Sequence, residues 1–459
     1  MKEIDILESL IETENELQLD SYEIMSVPIW NVLKHKLRQI FLTNEGAYEA
    51  AVSKKVPFSF KKALISFPKS IIKFHLLLIQ RPKIDNLVMG FPKMDLVNGL
   101  YIDRFIDPVN ELSDLKNNYI YFEYGKTGFH YSNRPNKDKL LYTDYINWLG
   151  IIGGFILLPI IYLKERAKIN SFVSLVSQCL RFKVKPKYVA YKIAEFKVLT
   201  AIYIKLLKIM EVKNVFGVSR ILFKPVSFAA KKNNIKVYEF QHGITQTTTE
   251  LYGGNYLPAI DPDYFLLFGD ACPHDVFGIP TNKVINIGWA FKIYLGETTN
   301  KSYLMNSCLV ISEPTITDKI IEATIELSKK YPAFEFHIRR HPQEAFSEEQ
   351  IALINQYEKI KDVTNEINSF IVLLDYNFVI GENSTVLYEA LSLGKKVARI
   401  NFCGLNPVSR SEEDSFYYLD TVDDYKNYIE GERKIKSCAI YSDFKTNIFN
   451  SLIHGTYTI

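Results

Sequence analysis

Short apolar runs of three to five residues, each ending in a polar tip, recur along most of this chain: Leu87–Gly90, Ile120–Phe122, Val215–Val218, Val237–Phe240, Tyr264–Phe268, Val284–Ile287, Cys308–Ile311, Phe334–Ile338, Phe378–Ile380 and Val397–Ile400. Their length and their β-branched and aromatic content predict strands. Between several of them the apolar positions take helical spacing, at Tyr191–Met210, Phe223–Lys232, Thr317–Lys330 and Ser347–Tyr357. This alternation is the rhythm of βαβ units and parallel sheets. From Met1 to about Lys83 the pattern is mainly helical, as in Ile4-Leu7-Leu10-Ile11 and Ile29-Val32-Leu33-Leu37. A chain of 459 residues is too long for one ordinary core. The predicted fold is therefore α/β, with two Rossmann-like domains facing across a cleft behind a helical N-terminal extension. The expected division is 1–83, 84–258 and 259–459, with a hinge around Tyr256–Asp263 stiffened by Pro258 and Pro262.

Three strand tips carry chemistry. The last reads Gly381-Glu382-Asn383-Ser384-Thr385 and runs into a helix over Val386–Leu393 closed by Gly394. A helix N-terminus bearing Ser and Thr can hold a dianionic phosphate without a buried cation, although ordinary βαβ corners share this shape. The second, Phe334–His341 followed by Pro342, ends in Arg339, Arg340 and His341. Such cations can neutralise a leaving phosphate, and His341 can give it a proton; the plain alternative is a solvated strand end. The third is Gln241-His242-Gly243, where glycine lets another molecule approach the backbone.

In this order, Gln-His-Gly, Arg-His-Pro, then Ser-Thr followed by Glu-Ala and Gly, the chain resembles bacterial GT-B glycosyltransferases that build capsule and lipopolysaccharide, and most of all their sialyltransferase-like members that use CMP-activated acidic sugars. The likeness spans about Asn214 to Pro407. It implies a metal-independent inverting enzyme with no cofactor beyond a nucleotide-sugar donor, probed at the donor phosphate by Arg340, His341, Ser384 and Thr385. Glu389, one helical turn after Thr385, would take ribose hydroxyls, and Ser312 is a further candidate for the phosphate region. No Asp-x-Asp triplet stands in the expected place. One departure matters: those families carry an acidic-acidic-Gly motif where this chain has Gln241-His242-Gly243. His-Gly there is similar to CDP-glycerol glycerophosphotransferases, in which the histidine deprotonates the acceptor hydroxyl. A neutral imidazole, with an ordinary pKa of about 6.5, suits that task. His242 is thus the expected base and Glu239 the alternative one. A CDP-polyol phosphotransferase and a non-catalytic scaffold of polysaccharide assembly remain open beside the sugar transferase.

Composition bounds the partners. The net charge of +3 is too small to suggest nucleic acid. Five scattered cysteines lack metal-ligand spacing and point to free thiols in a reducing compartment. Glu3, Asp5 and Glu8 stand where a signal peptide would be basic, so a cytoplasmic protein is expected. Lys54 to Lys83 carries eight basic residues and no acid among apolar ones, a pattern for an anionic membrane surface. Trp148–Leu163 is an almost uncharged apolar run, slightly short of the roughly 20 residues of a span, and reads as a buried helix or a membrane contact. Peripheral attachment to the inner face of the cytoplasmic membrane would suit a lipid-linked glycan acceptor.

Overall fold

The computed structural model describes residues 3–46, 60–92, 94–125, 130–245, 247–294, 304, 306–314, 316–341, 344–364, 369–405, 415–432 and 441–457. Lys54 and Lys55, expected at a membrane, and Pro342 lie outside them, as do the side chains of Lys61 and Lys62.

Two parallel sheets organise the chain. Among the described residues the first sheet has seven strands, β1 (Asn86–Met89), β2 (Tyr119–Glu123), β3 (Leu140–Tyr142), β4 (Asn214–Val218), β5 (Lys236–Phe240), β6 (Tyr264–Leu267) and β7 (Val284–Asn286), in the spatial order β7-β6-β5-β4-β1-β2-β3. The second has six, β8 (Ser307–Ile311), β9 (Glu335–Arg339), β10 (Ile360–Asp362), β11 (Phe378–Gly381), β12 (Lys396–Ile400) and β13 (Tyr417–Leu419), in the order β10-β9-β8-β11-β12-β13. Every pairing within either sheet is parallel. All residues of β1, β4 and β8 are buried, which is why these strands read as unbroken apolar runs.

The strand order reverses between β1 and β4 in the first sheet and between β8 and β11 in the second. A parallel sheet opens a crevice beyond its carboxyl ends at such a point, because the connecting helices there pass to opposite faces. The first crevice lies beside Gly90 and Ser219, the second beside Ser312 and the Glu382–Ser384 turn.

The helices over Glu3–Glu16 (α1) and Ile29–Asn44 (α2) pack with Arg166–Leu180 (α5) and Pro186–Ile209 (α6) around Trp30, Leu33, Phe172 and Ile193. Arg38 of α2 is buried, paired with Glu14 of α1, and donates to the Gly253 carbonyl at 2.8 Å. The helix Phe60–Gln80 (α3) covers the edge of the first sheet, where the Ser70 hydroxyl donates to the Tyr142 carbonyl and Lys73 to the Leu140 carbonyl, both at 2.6 Å. The expected region 1–83 is therefore helical but belongs to the first domain's surroundings in two separate places.

The expected boundary at residue 258 is displaced. Strands β6 and β7 pair onto β5, so the first sheet continues to Asn286, and the Pro258–Pro262 stretch is a connection inside the first domain. Strand pattern alone cannot say which of two parallel sheets a strand joins. The helix Thr446–His454 (α12) also returns to the first domain: Phe449 lies 5.7 Å from Phe216 ring to ring, and the Tyr238 hydroxyl donates to the Leu452 carbonyl at 3.0 Å. Between the domains runs a shared apolar seam, where Trp289 stacks 4.2 Å from Phe370 and Phe268 lies 5.6 Å from Tyr441.

Candidate functional site

At the second switch point, β11 ends at Gly381 and the helix Thr385–Ser392 (α10) begins four residues later. Gly381 is required there by space: a Cβ would stand 3.0 Å from the Ile311 carbonyl oxygen of β8. Ser384 is the N-cap, and its hydroxyl accepts from the Val386 amide at 3.4 Å. Thr385 is half-buried. A Cβ on Gly243 would come within 3.5 Å of the Thr385 hydroxyl oxygen, so the Gln-His-Gly tip of the first sheet meets the Ser-Thr turn of the second across the cleft. Two motifs more than 140 positions apart thus share one place.

Gln241 holds that tip. Its side-chain oxygen accepts from the Phe268 amide at 2.9 Å and its amide donates to the Gly243 carbonyl at 3.0 Å. His242 beyond it is exposed, with its ring 5.8 Å from that of Phe91, the residue that follows β1 by two positions. Glu239, the alternative base, is fully buried, and its carboxylate accepts from the Arg220 amide at 2.7 Å and from Arg220 Nε at 2.8 Å. Burial pushes its pKa up against the pull of Arg220. Period-two alternation has placed it inside, as counter-ion to Arg220, away from any acceptor.

The basic strand tip divides differently from expectation. Arg340 pairs with Asp362 at 2.9 Å, its amide donates to the Thr364 hydroxyl oxygen at 2.9 Å, and its guanidinium lies 4.9 Å over the Phe346 ring. Phe336 and Ile338 of β9 face the core, which sends His337 and Arg339 to the other side of the sheet. It is Arg339 that shares the cleft with Glu389, Asp95 and Arg104, whose charges act on it; burial, the largest influence, lowers its pKa. His341 is half-buried and its amide donates to Glu344 at 2.9 Å. Glu344 also accepts from Ser312 at 2.7 Å and from Thr317 at 2.6 Å. Ser312, a candidate phosphate ligand, is therefore buried and committed to a carboxylate that shapes the loop.

Glu389 is buried as well. Its carboxylate accepts from Ser369 and, at 3.1 Å, from Arg104, which comes from the first domain and also holds Asp95 at 3.0 Å. The carboxylate expected to receive ribose hydroxyls is thus part of an ion bridge between domains. Glu313 abuts the Ser-Thr turn and accepts from the Asn383 amide at 3.3 Å. Burial and the nearby Glu382 push its pKa up to about 7. Arg104, Asp95, Glu344 and Glu313 carried no sequence signal, because each acts on a partner in another element.

Beside the first switch point, the carboxyl ends of β2 and β3 are closed off by their own charges. Arg134 binds Glu123 of β2 at 3.0 Å and Asp107 at 2.7 Å, and lies 5.0 Å over the Tyr121 ring. His130 stacks on Tyr142 at 3.7 Å, with Nδ1 2.6 Å from Glu123 and Nε2 2.7 Å from Asp144. Burial acts to lower the His130 pKa, and its bonds to Asp144 and Glu123 outweigh it and raise it.

Two Rossmann-like domains facing across a cleft, each with its crevice toward the other, define a GT-B fold. No family model and no curated protein matches the sequence. Among solved structures the chain is similar in fold to a putative UDP-N-acetylglucosamine 2-epimerase from Listeria monocytogenes, at 11% identity and a TM-score of 0.49 over 82% of this chain and 98% of that one. It is likewise similar to the UDP-GlcNAc 2-epimerase of Methanocaldococcus jannaschii, at 12% identity and a TM-score of 0.47 over 81% and 98%, and to the wall teichoic acid polymerase TagF, at 11% and 0.43 over 99% and 98%. At such distances the likeness is one of fold alone.

Proposed function

We propose that this protein is a nucleotide-dependent transferase of surface-glycan synthesis, in which an acceptor hydroxyl on the first domain attacks a donor held by the second. The observation that carries this reading is the nearness of Gly243 to Thr385, which brings an exposed histidine and a hydroxyl-bearing helix N-terminus to the same cleft. Ser384, Thr385 and the first amides of α10 would bind the donor phosphate, since unpaired N–H groups and the helix dipole favour an anion there. Arg339 and His341 would offset the charge of the leaving group, with Arg340 a further shell outward. His242 would take the acceptor proton, and no step calls for a metal.

The donor we favour is a CMP-linked acidic sugar, attacked at its anomeric carbon with inversion. A second reading is supported by the histidine at the strand tip in place of a carboxylate: attack at phosphorus on a CDP-polyol, which also releases CMP. A thermal-shift panel of CMP, CDP, UDP and GDP tests the shared claim, because a ligand bound only by the folded state raises the melting temperature. Cytidine nucleotides should shift it most, and no shift with any of the four would overturn the reading. Release of CMP from a CMP-sugar, against release from CDP-glycerol, then separates the two chemistries.

A further inference from the structure

Among the described residues, most of the large exposed apolar side chains lie on two helices. Ile72 and Ile79 of α3, with Phe155, Ile156, Ile160 and Leu163 of the helix Asp144–Lys164 (α4), are each between 59% and 76% exposed. On α3 the pair is seven residues apart, two turns of one stripe; on α4 the steps of one, four and three keep the four residues on one side. Phe67 of α3 lies 6.0 Å from the Trp148 ring and 6.1 Å from that of Tyr145, so the two helices form a continuous face.

The opposite side of α4 is anchored. A Cβ on Gly150 would fall 2.6 Å from Leu199, and one on Gly154 3.0 Å from Tyr191, so these glycines allow α4 to lie close against α6. By length and composition α4 could cross a bilayer, yet leaving the domain would break this fit. Charge selects the occupant. No residue between Asp144 and Lys164 is charged, and α3 carries Lys61, Lys62, Lys69 and Lys73 with no acid. Asp144 is turned inward to His130, and Lys168 pairs with Glu165 at 3.6 Å, whereas Lys69, Lys164 and Arg166 are exposed. A cationic rim around an apolar face repels a second copy of itself and attracts anionic headgroups.

We propose that the α3/α4 face docks flat on an anionic phospholipid bilayer, with the α4 side chains at the acyl boundary and the lysines among the phosphates. This docking stands independently of the transfer chemistry. The test is co-sedimentation of the full chain with vesicles of phosphatidylcholine alone or mixed with phosphatidylglycerol. The intact protein should pellet with the mixed vesicles, less so at high salt. Ile156→Glu combined with Ile160→Glu should cut that partition about tenfold or more at an unchanged circular-dichroism melting temperature, since both side chains are exposed. Lys69→Glu should weaken it by a smaller factor without touching the apolar face. Absence of binding to the mixed vesicles, or equal binding by the double variant, would overturn the proposal. So would protein that resists carbonate extraction, which means a spanning helix, or a dimer by light scattering that the double variant turns into a monomer.

Discussion

The carboxyl ends of β2 and β3 in the first sheet and the switch point of the second sheet are built from the same residue types and used in opposite ways. In the first, Asp107, Glu123, Asp144, His130 and Arg134 are brought together at the end of β2 and satisfy one another out of solvent. In the second, the Ser384–Thr385 turn meets the cleft with a helix N-terminus behind it, and its ionisable neighbours stand around the opening. Titratable groups at a strand tip therefore do not identify a site by themselves. What separates the two is the half-buried Ser384–Thr385 turn at the start of α10, since Glu344, Glu389 and Arg340 around it are paired as well. His242, exposed at the tip of β5, precedes Gly243, which lies near that turn.

The sharpest way to break this comparison is at Arg134. Arg134→Met leaves Asp107 and Glu123 buried without their cation, and removing one partner from a buried charge network costs about 3–5 kcal/mol. Urea unfolding should show that loss, and a change under about 1 kcal/mol would mean this cluster is less committed to structure than its geometry indicates. His242→Ala should do the reverse. Stability and nucleotide affinity should hold while turnover drops about a hundredfold, as expected for a lost general base. Turnover within about threefold of the parent would remove His242 from the chemistry.

The smallest effect is expected at Glu313 and depends on pH. Its ordinary value is 4.5 and burial beside Glu382 raises it to about 7, so the folded protein holds this proton more tightly than the unfolded chain does. The resulting stability is complete below the ordinary value and is lost as pH rises through about 7. Glu313→Gln should leave the melting temperature nearly unchanged at pH 4 and raise it at pH 8. An equal shift at both pH values would show that the ionisation of Glu313 is not what matters.

Much of the strand framework was legible because β1, β4, β5, β8, β11 and β12 are short apolar runs, buried from both faces or nearly so. The edge strands β3, β10 and β13 were not, because Leu140–Tyr142, Ile360–Asp362 and Tyr417–Leu419 are three residues each and their sequences resemble loops. At the cleft, sequence located His242, Ser384 and Thr385, since each ends a recognisable run. It could not choose between Arg339 and Arg340, which needs the face that Phe336 and Ile338 occupy. Nor could it foresee that Glu389 meets Arg104, a pairing across 285 positions that only the approach of two domains creates.

The chain passes from the first domain to the second after Asn286 and comes back before Tyr441, whose neighbour Ser442 accepts from the Trp289 amide at 2.9 Å. The second sheet is therefore an insertion carried on a pair of tethers rather than a bead on a single string. One covalent link would leave three rotational freedoms, whereas two side by side suppress twisting and leave bending about the line that joins them. The Arg104 bridge and the tryptophan seam lie on this side of the cleft, so the pivot for any opening is written into the path of the backbone.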